Sequence, residues 1–238
     1  LTKGIRLTTL DLRNKKNVKQ YAFYFEGGVA SYAKHLNRQH KMIHNNVFYV
    51  DKNTNDINVE VAIKYVEEYN ETLLAFTNNI LNPEGGMHVS GFRTALTRTL
   101  NTYARKNNLI KEKEDNLSGD DVREGLTAVI SIKLTDPQFE GQTKAKLGNA
   151  EVKPAVESVL AEALAIFLEE HPKDAESIIG KSLLAARARL ASKAARETVL
   201  RKGVLDSLSL PGKLADCSSK NAEECELYIV EGDSAGGS

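Results

Sequence analysis

Apolar and polar residues alternate most regularly over Ile57–Tyr65, where Ile57, Val59, Val61, Ile63 and Tyr65 interleave with Asn58, Glu60, Ala62 and Lys64. A period of two predicts a half-buried strand. Residues 48–50 precede it across a polar run, 51–56, which predicts a hairpin with its turn over that run. A weaker alternation over 4–13, with Ile5, Leu7 and Thr9 on one face, and an aromatic run over 20–25 predict an earlier hairpin. Glu26-Gly27-Gly28 breaks it, and Val29, Tyr32, Ala33 and Leu36 then recur at helical spacing.

Further along, 72–77 reads as a strand and 82–86 as a glycine-rich loop. A helix over 89–107 follows, with Phe92, Leu96, Leu100 and Tyr103 on one side. Residues 111–116 are charged and read as exposed. Ser118 with Asp121 forms a capping start for a short helix over 121–125, and 126–134 is a strand with Ala128, Ile130 and Ile132 on one face. Val152, Val156, Val159, Leu160, Ala163, Leu164, Phe167 and Leu168 predict a strongly amphipathic, acidic helix that His171-Pro172 ends. A second long helix runs over 173–202, its basic residues crowding the second half; residues 203–210 then turn, and 227–230 reads as a buried strand. Strands and helices segregate, which predicts an α+β fold.

Composition narrows the class without choosing within it. The chain has 238 residues, 41% hydrophobic and 27% charged, enough for a substantial core. Lys+Arg 32 balances Asp+Glu 32, so a dedicated nucleic-acid-binding domain is not indicated, although a local basic patch is compatible. Cys217 and Cys225 form neither a disulfide framework nor a zinc site, and read as reduced thiols in a cytosolic protein. No apolar run could span a bilayer.

Three stretches carry candidate chemistry. Glu231-Gly232-Asp233 after the strand over 227–230 places carboxylates where a hard cation such as Mg²⁺ could be held, and the small residues through Ser238 admit a phosphate or nucleic-acid backbone. A plain strand-turn-helix with a solvated acid is an equal reading; a serine nucleophile at Ser234 is disfavoured because Ala235 breaks that pattern. In 136–147, Pro137 and Gly141 impose a loop, and an extended tip would aim Gln142 and Lys144 the same way, an amide and an ammonium suited to a phosphate oxygen. Spacing alone favours a solvated surface lysine. On the second long helix Arg187, Arg189, Lys193 and Arg196 offer either a solvated face, or pairing with the acidic preceding helix, or a sequence-independent surface for DNA backbone. His88 reads as a loop hydrogen-bonding group rather than a catalyst.

The octapeptide 231–238, the segment Leu210-Pro211-Gly212-Lys213-Leu214-Ala215-Asp216-Cys217, and Phe25-Glu26-Gly27-Gly28-Val29, Glu84-Gly85-Gly86-Met87-His88, Gly91–Arg98, Gly119–Leu126 and Gln142-Thr143-Lys144 together resemble the B subunits of bacterial type IIA DNA topoisomerases. The resemblance runs through nearly the whole chain, which ends inside the octapeptide; an internal fragment is therefore expected. It implies three parts. Residues 1–38 would be the end of a histidine-kinase-like ATPase domain. Residues 39–205 would be a transducer domain like ribosomal protein S5 domain 2, with its long helices, and 206–238 a linker and the start of a Toprim domain. It also implies an ATP-dependent, Mg²⁺-requiring enzyme that passes one DNA duplex through another, with the supercoiling member of the family preferred to the decatenating one. By the same resemblance, Lys144 and Gln142 contact the ATP γ-phosphate, Glu231 is the metal-binding Toprim acid, and Arg187, Arg189, Lys193, Arg196 and Lys213 face DNA. The implied partners are double-stranded DNA, the topoisomerase A subunit in an A2B2 heterotetramer and a second B subunit on ATP binding, in the cytoplasm and without a membrane. The fragment alone is expected to be inactive. The rival reading is a non-catalytic S5-like coupling module of another ATPase.

Overall fold

A computed structural model of the chain describes residues 2–14, 16–111, 113–207, 219, 221–227 and 229. It separates into two units, Leu1–Arg187 and Ala188–Ser238.

The first unit is built on a five-stranded sheet. Its strands are β3 (Phe48–Thr54), β4 (Ile57–Tyr65), β5 (Thr72–Thr77), β6 (Ile80–Leu81) and β8 (Leu126–Lys133), in the order β3-β4-β8-β5-β6. Before it come the hairpin β1 (Arg6–Asp11) and β2 (Lys19–Tyr24) and the helix α1 (Gly28–Leu36). Neighbouring strands are antiparallel except β5 and β8, whose parallel pairing needs a long crossover. That crossover contains β7 (Gly85–Gly86), α2 (Met87–Lys106) and α3 (Gly119–Arg123). Beyond the sheet lie β9 (Phe139–Glu140), β10 (Lys146–Leu147), α4 (Val152–Glu170) and α5 (Pro172–Ser207). The expected α+β class thus holds as a mixed fold.

The sheet is covered on both faces, which corrects the half-buried reading of β4. Val59, Val61 and Ile63 join Ala128, Ile130 and Ile132 of β8, and Phe92, Leu96, Leu100, Val156, Leu160 and Phe167 of α2 and α4, in the main core. On the other face, Ala62 and Val129 pack with Val29 and Ala33 of α1 in a second cluster. The alternation in β4 therefore separates two buried faces rather than core from solvent. Its polar members Glu60 and Lys64 are satisfied locally. Tyr49 Oη donates to Glu60 at 2.8 Å, and Lys64, 1% exposed, donates to the carbonyls of His44, Asn45 (2.8 Å) and Asn46 (3.2 Å). Burial pushes the Lys64 ammonium below its ordinary value, against the pull of Asp174. We expect Lys64→Ala to lower stability by about 2 kcal/mol, because it leaves the buried His44 carbonyl without its donor and takes the same ammonium from the carbonyls of the exposed Asn45 and Asn46. An unchanged urea midpoint would contradict this.

Other local outcomes follow from turn chemistry. The hairpin turn expected over 51–56 shrinks to Asn55-Asp56, both at positive φ (49° and 61°), and 51–54 continue β3. Asn and Asp tolerate the left-handed region, and a two-residue turn of that hand matches strand twist. α3 starts two residues earlier than its expected span, on a Ser118–Asp121 capping box. The β1–β2 hairpin is as expected, but apolar side chains on both of its faces are exposed, among them Leu7, Leu10, Tyr21 and Phe23. His88 is a correction. It lies in the first turn of α2, fully buried, with neither ring nitrogen hydrogen-bonded among the described residues. α5 continues through Gly203 to Ser207, where a turn was expected. Of the strand expected over 227–230, the described members Leu227 and Ile229 lie in no regular element and are exposed; the rest lies outside the described residues.

Candidate functional site

Residues 136–149 form a hairpin-like loop standing on a narrow base. β9 pairs antiparallel with β10, and β10 pairs parallel with β7. That parallel contact is why Gly86 must be glycine. A Cβ there would lie 2.3 Å from the Leu147 carbonyl oxygen and 2.5 Å from the Leu147 nitrogen, at φ +133°. The Glu84 N–H adds a bond to the Ala145 carbonyl at 3.1 Å.

Two buried asparagines hold the two ends of the loop. Asn149 accepts from the Gln138 N–H at 2.6 Å and donates to the Asp136 carbonyl at 3.1 Å. Asn82 donates to the Lys144 carbonyl at 2.8 Å. Each is 2% exposed. Neither asparagine was singled out in the sequence; an asparagine beside a proline or glycine reads as turn chemistry, and nothing local says that its side chain spans to a distant loop.

The tip is not extended, which corrects the expected geometry. The Lys144 N–H donates to the Gly141 carbonyl at 3.3 Å, closing a turn over Gln142 and Thr143. Gly141 sits at φ +80° and Lys144 at φ +56°. Gln142 and Lys144 are nevertheless both brought to the exposed tip. Lys146, on β10, pairs with Glu140 at 3.0 Å. Lys144 has no carboxylate partner among the described residues; its ammonium stands 5.8 Å from the Phe139 ring centroid. An unpaired ammonium beside an amide, on a rigid base, is a donor set for an anion.

The other expected site residues are placed as follows. Arg187, Arg189, Lys193 and Arg196 lie exposed on α5, and Arg189, Lys193 and Arg196 share one face by helical spacing. Lys193 lies 4.0 Å from Glu197 on its own helix. On α4, Glu162 pairs with Lys52, Glu169 with Lys106 and Glu157 with Lys153. Glu231 and Lys213 lie outside the described residues. Among the described residues no group of three or more His, Cys, Asp or Glu side chains could hold a metal ion, and no helix is long and apolar enough to cross a membrane.

The chain matches the family model for DNA gyrase B over residues 28–198. The DNA gyrase B protein of Clostridium acetobutylicum is 54% identical over 239 residues, covering 100% of this chain and 37% of that protein. The DNA gyrase B protein of Staphylococcus aureus is 52% identical over 238 residues, with the same coverage of 100% and 37%. The chain thus spans 37% of the length of these relatives. Among solved structures, the 43K ATPase domain of Thermus thermophilus gyrase B in complex with an aminocoumarin aligns at TM-score 0.75 and 39% identity, over 82% of this chain and 52% of that one. The topoisomerase IV ATP-binding domain of Francisella tularensis, in complex with a small-molecule inhibitor, aligns at TM-score 0.63 and 27% identity, over 77% and 49%.

Proposed function

The chain belongs to the DNA gyrase B family, and from that premise we propose that it is the coupling region of the B subunit of an ATP-dependent type IIA topoisomerase. In that reading it links ATP binding and hydrolysis to the passage of one DNA duplex through another and to negative supercoiling. The observation that carries it is the loop tip, where Lys144 presents an ammonium that has no carboxylate partner among the described residues, while its neighbour Lys146 is neutralised by Glu140. An ATP γ-phosphate fits that donor set. Lys144 stabilises charge developing on the phosphate during hydrolysis, and Gln142 helps orient it. The loop then reports whether the γ-phosphate is present to the elements that grow from its base, α2 after Gly86 and α4 after Asn149.

Residues 1–38 are the end of the ATPase domain, 39–205 the transducer and 206–238 the entry to a Toprim domain. The apolar exposure of the β1–β2 hairpin supports the first assignment, since an aromatic hairpin of that kind is suited to a covering ATPase body. Glu231 supplies a carboxylate for Mg²⁺, which would assist DNA cleavage and religation. The basic residues of α5, with Lys213, contact duplex DNA through its backbone. The partners are a topoisomerase A subunit, in an A2B2 assembly, and a second B subunit on ATP binding, in the cytoplasm. The isolated chain neither hydrolyses ATP nor cuts DNA.

The similarity to a topoisomerase IV ATP-binding domain favours a second reading, the decatenating enzyme. One reconstitution separates them. The longer subunit containing this chain, combined with its A partner, relaxed plasmid, Mg²⁺ and ATP, is expected to produce negative supercoils. ATP-dependent decatenation without supercoiling would assign the second reading. No topological change would leave a non-catalytic coupling module.

A further inference from the structure

We propose that Asn82 is a positioning residue for Lys144, holding the lysine main chain in the left-handed conformation that presents its ammonium at the loop tip. The inference deepens the reading of Lys144 given above and rests on it.

Lys144 has φ +56°, a region that non-glycine residues populate sparsely. A residue stays there only where its surroundings over-determine it. Two hydrogen bonds do so here. The Lys144 N–H is held by the Gly141 carbonyl at 3.3 Å, inside the exposed turn, and the Lys144 carbonyl by Asn82 Nδ2 at 2.8 Å, from outside it. Only the second connects the lysine to the body of the fold.

Asn82 is fixed at every polar group. Its N–H donates to the Ala75 carbonyl of β5 at 2.8 Å, and its carbonyl accepts from the Gly85 N–H at 2.9 Å. Its Oδ1 accepts from Thr77 Oγ1 at 2.7 Å. A main-chain carbonyl can only accept, so the Lys144 contact also settles which end of the amide is nitrogen. Thr77 and Asn82 are both buried, at 0% and 2% exposure. The lysine is therefore tied through one side chain to the sheet and to the strand that opens α2. A side chain tied on all sides returns the lysine to one geometry after each turnover, and it loses little freedom in doing so.

The test is ATP hydrolysis by the longer subunit in its assembled holoenzyme. Asn82→Ala is expected to lower kcat about tenfold, with KM for ATP changed by no more than about twofold, because the interaction lost acts on the developing charge rather than on nucleotide binding. In an enzyme already carrying Lys144→Ala the same change is expected to cause no further loss. Asn82→Asp keeps the size and the acceptor for Thr77 but removes the donor, and is expected to reproduce the kcat loss; it carries the test if the alanine variant does not fold. Val61→Ala, a core change in β4 remote from the loop, serves as the stability control and is expected to retain kcat. Additive losses in the double variant, or a parental kcat in both Asn82 variants, would overturn the proposal. A parental rate in Lys144→Ala alone would instead overturn the role given to the lysine.

Discussion

Replacing Lys144 by alanine in the longer subunit is expected to lower ATP turnover by about 10²–10³-fold and to abolish ATP-dependent supercoiling. The size follows from the loss of one preorganised donor aimed at developing charge, which is worth about 3–4 kcal/mol. Three features of the loop support the proposed role of Lys144 over that of a solvated surface charge. Its base is fixed by the β7–β10 contact, which tolerates no side chain at Gly86. Its main chain is held by Asn82. Its ammonium has no competing carboxylate among the described residues, whereas Lys146 is already paired with Glu140. Lys146 therefore provides the internal comparison. Lys146→Ala removes the same formal charge two residues along, and is expected to leave turnover within about twofold, since an exposed pair of this kind contributes only about 0–1 kcal/mol. A coupled ATPase assay and a plasmid supercoiling gel read both variants. Equal losses in the two would reduce Lys144 to general electrostatics, and parental turnover in Lys144→Ala would remove it from the site.

The reach of the sequence is clearest in β4. Its alternation gave the strand and its bounds, because side chains on successive residues of a strand point to opposite faces. It could not say that both faces are covered. Glu60 and Lys64 look like solvent-facing residues until the donors and acceptors that satisfy them, Tyr49 and the carbonyls of 44–46, are brought alongside by tertiary structure. The same limit applies at the loop. Gln142 and Lys144 were legible as candidates through family resemblance. The left-handed lysine and its tether to Asn82 were not, since the partners are 62 residues apart. Periodicity located α2 and α4, and an alanine- and leucine-rich composition located most of α5; the continuation of α5 past Gly203 was missed, because glycine argued for a turn there.

Stability is expected to fall steeply as pH drops from about 6.5 towards 4, through two buried histidines. Burial pulls both His44 and His88 down to about 4 from the ordinary 6.5. For His44 the Lys64 ammonium on β4 adds to burial, while Asp174 in the first turn of α5 opposes it from 3.8 Å. His44 Nε2 accepts from the Tyr65 N–H at 2.9 Å, a bond that the neutral ring can make and the protonated ring cannot. For His88 burial acts alone. A depressed folded value means that between these two pH limits the unfolded chain binds more protons than the folded one. The stabilisation is complete above 6.5 and is lost as pH falls, by about 3 kcal/mol per histidine at pH 4. Asp174 is held below its ordinary value against burial by bonds from Asn46 and Asn45, so its own contribution is lost only at still lower pH. Urea unfolding from pH 7.5 to 4.5, followed by far-UV circular dichroism because the chain has no Trp, measures the slope. His44→Gln keeps an acceptor for the Tyr65 N–H, and with His88→Leu it removes both titrations; each single change is expected to roughly halve the loss between pH 6.5 and 4.5. A parental stability that stays level across that range would refute the assignment. A slope unchanged by either substitution would move the acid sensitivity to other groups.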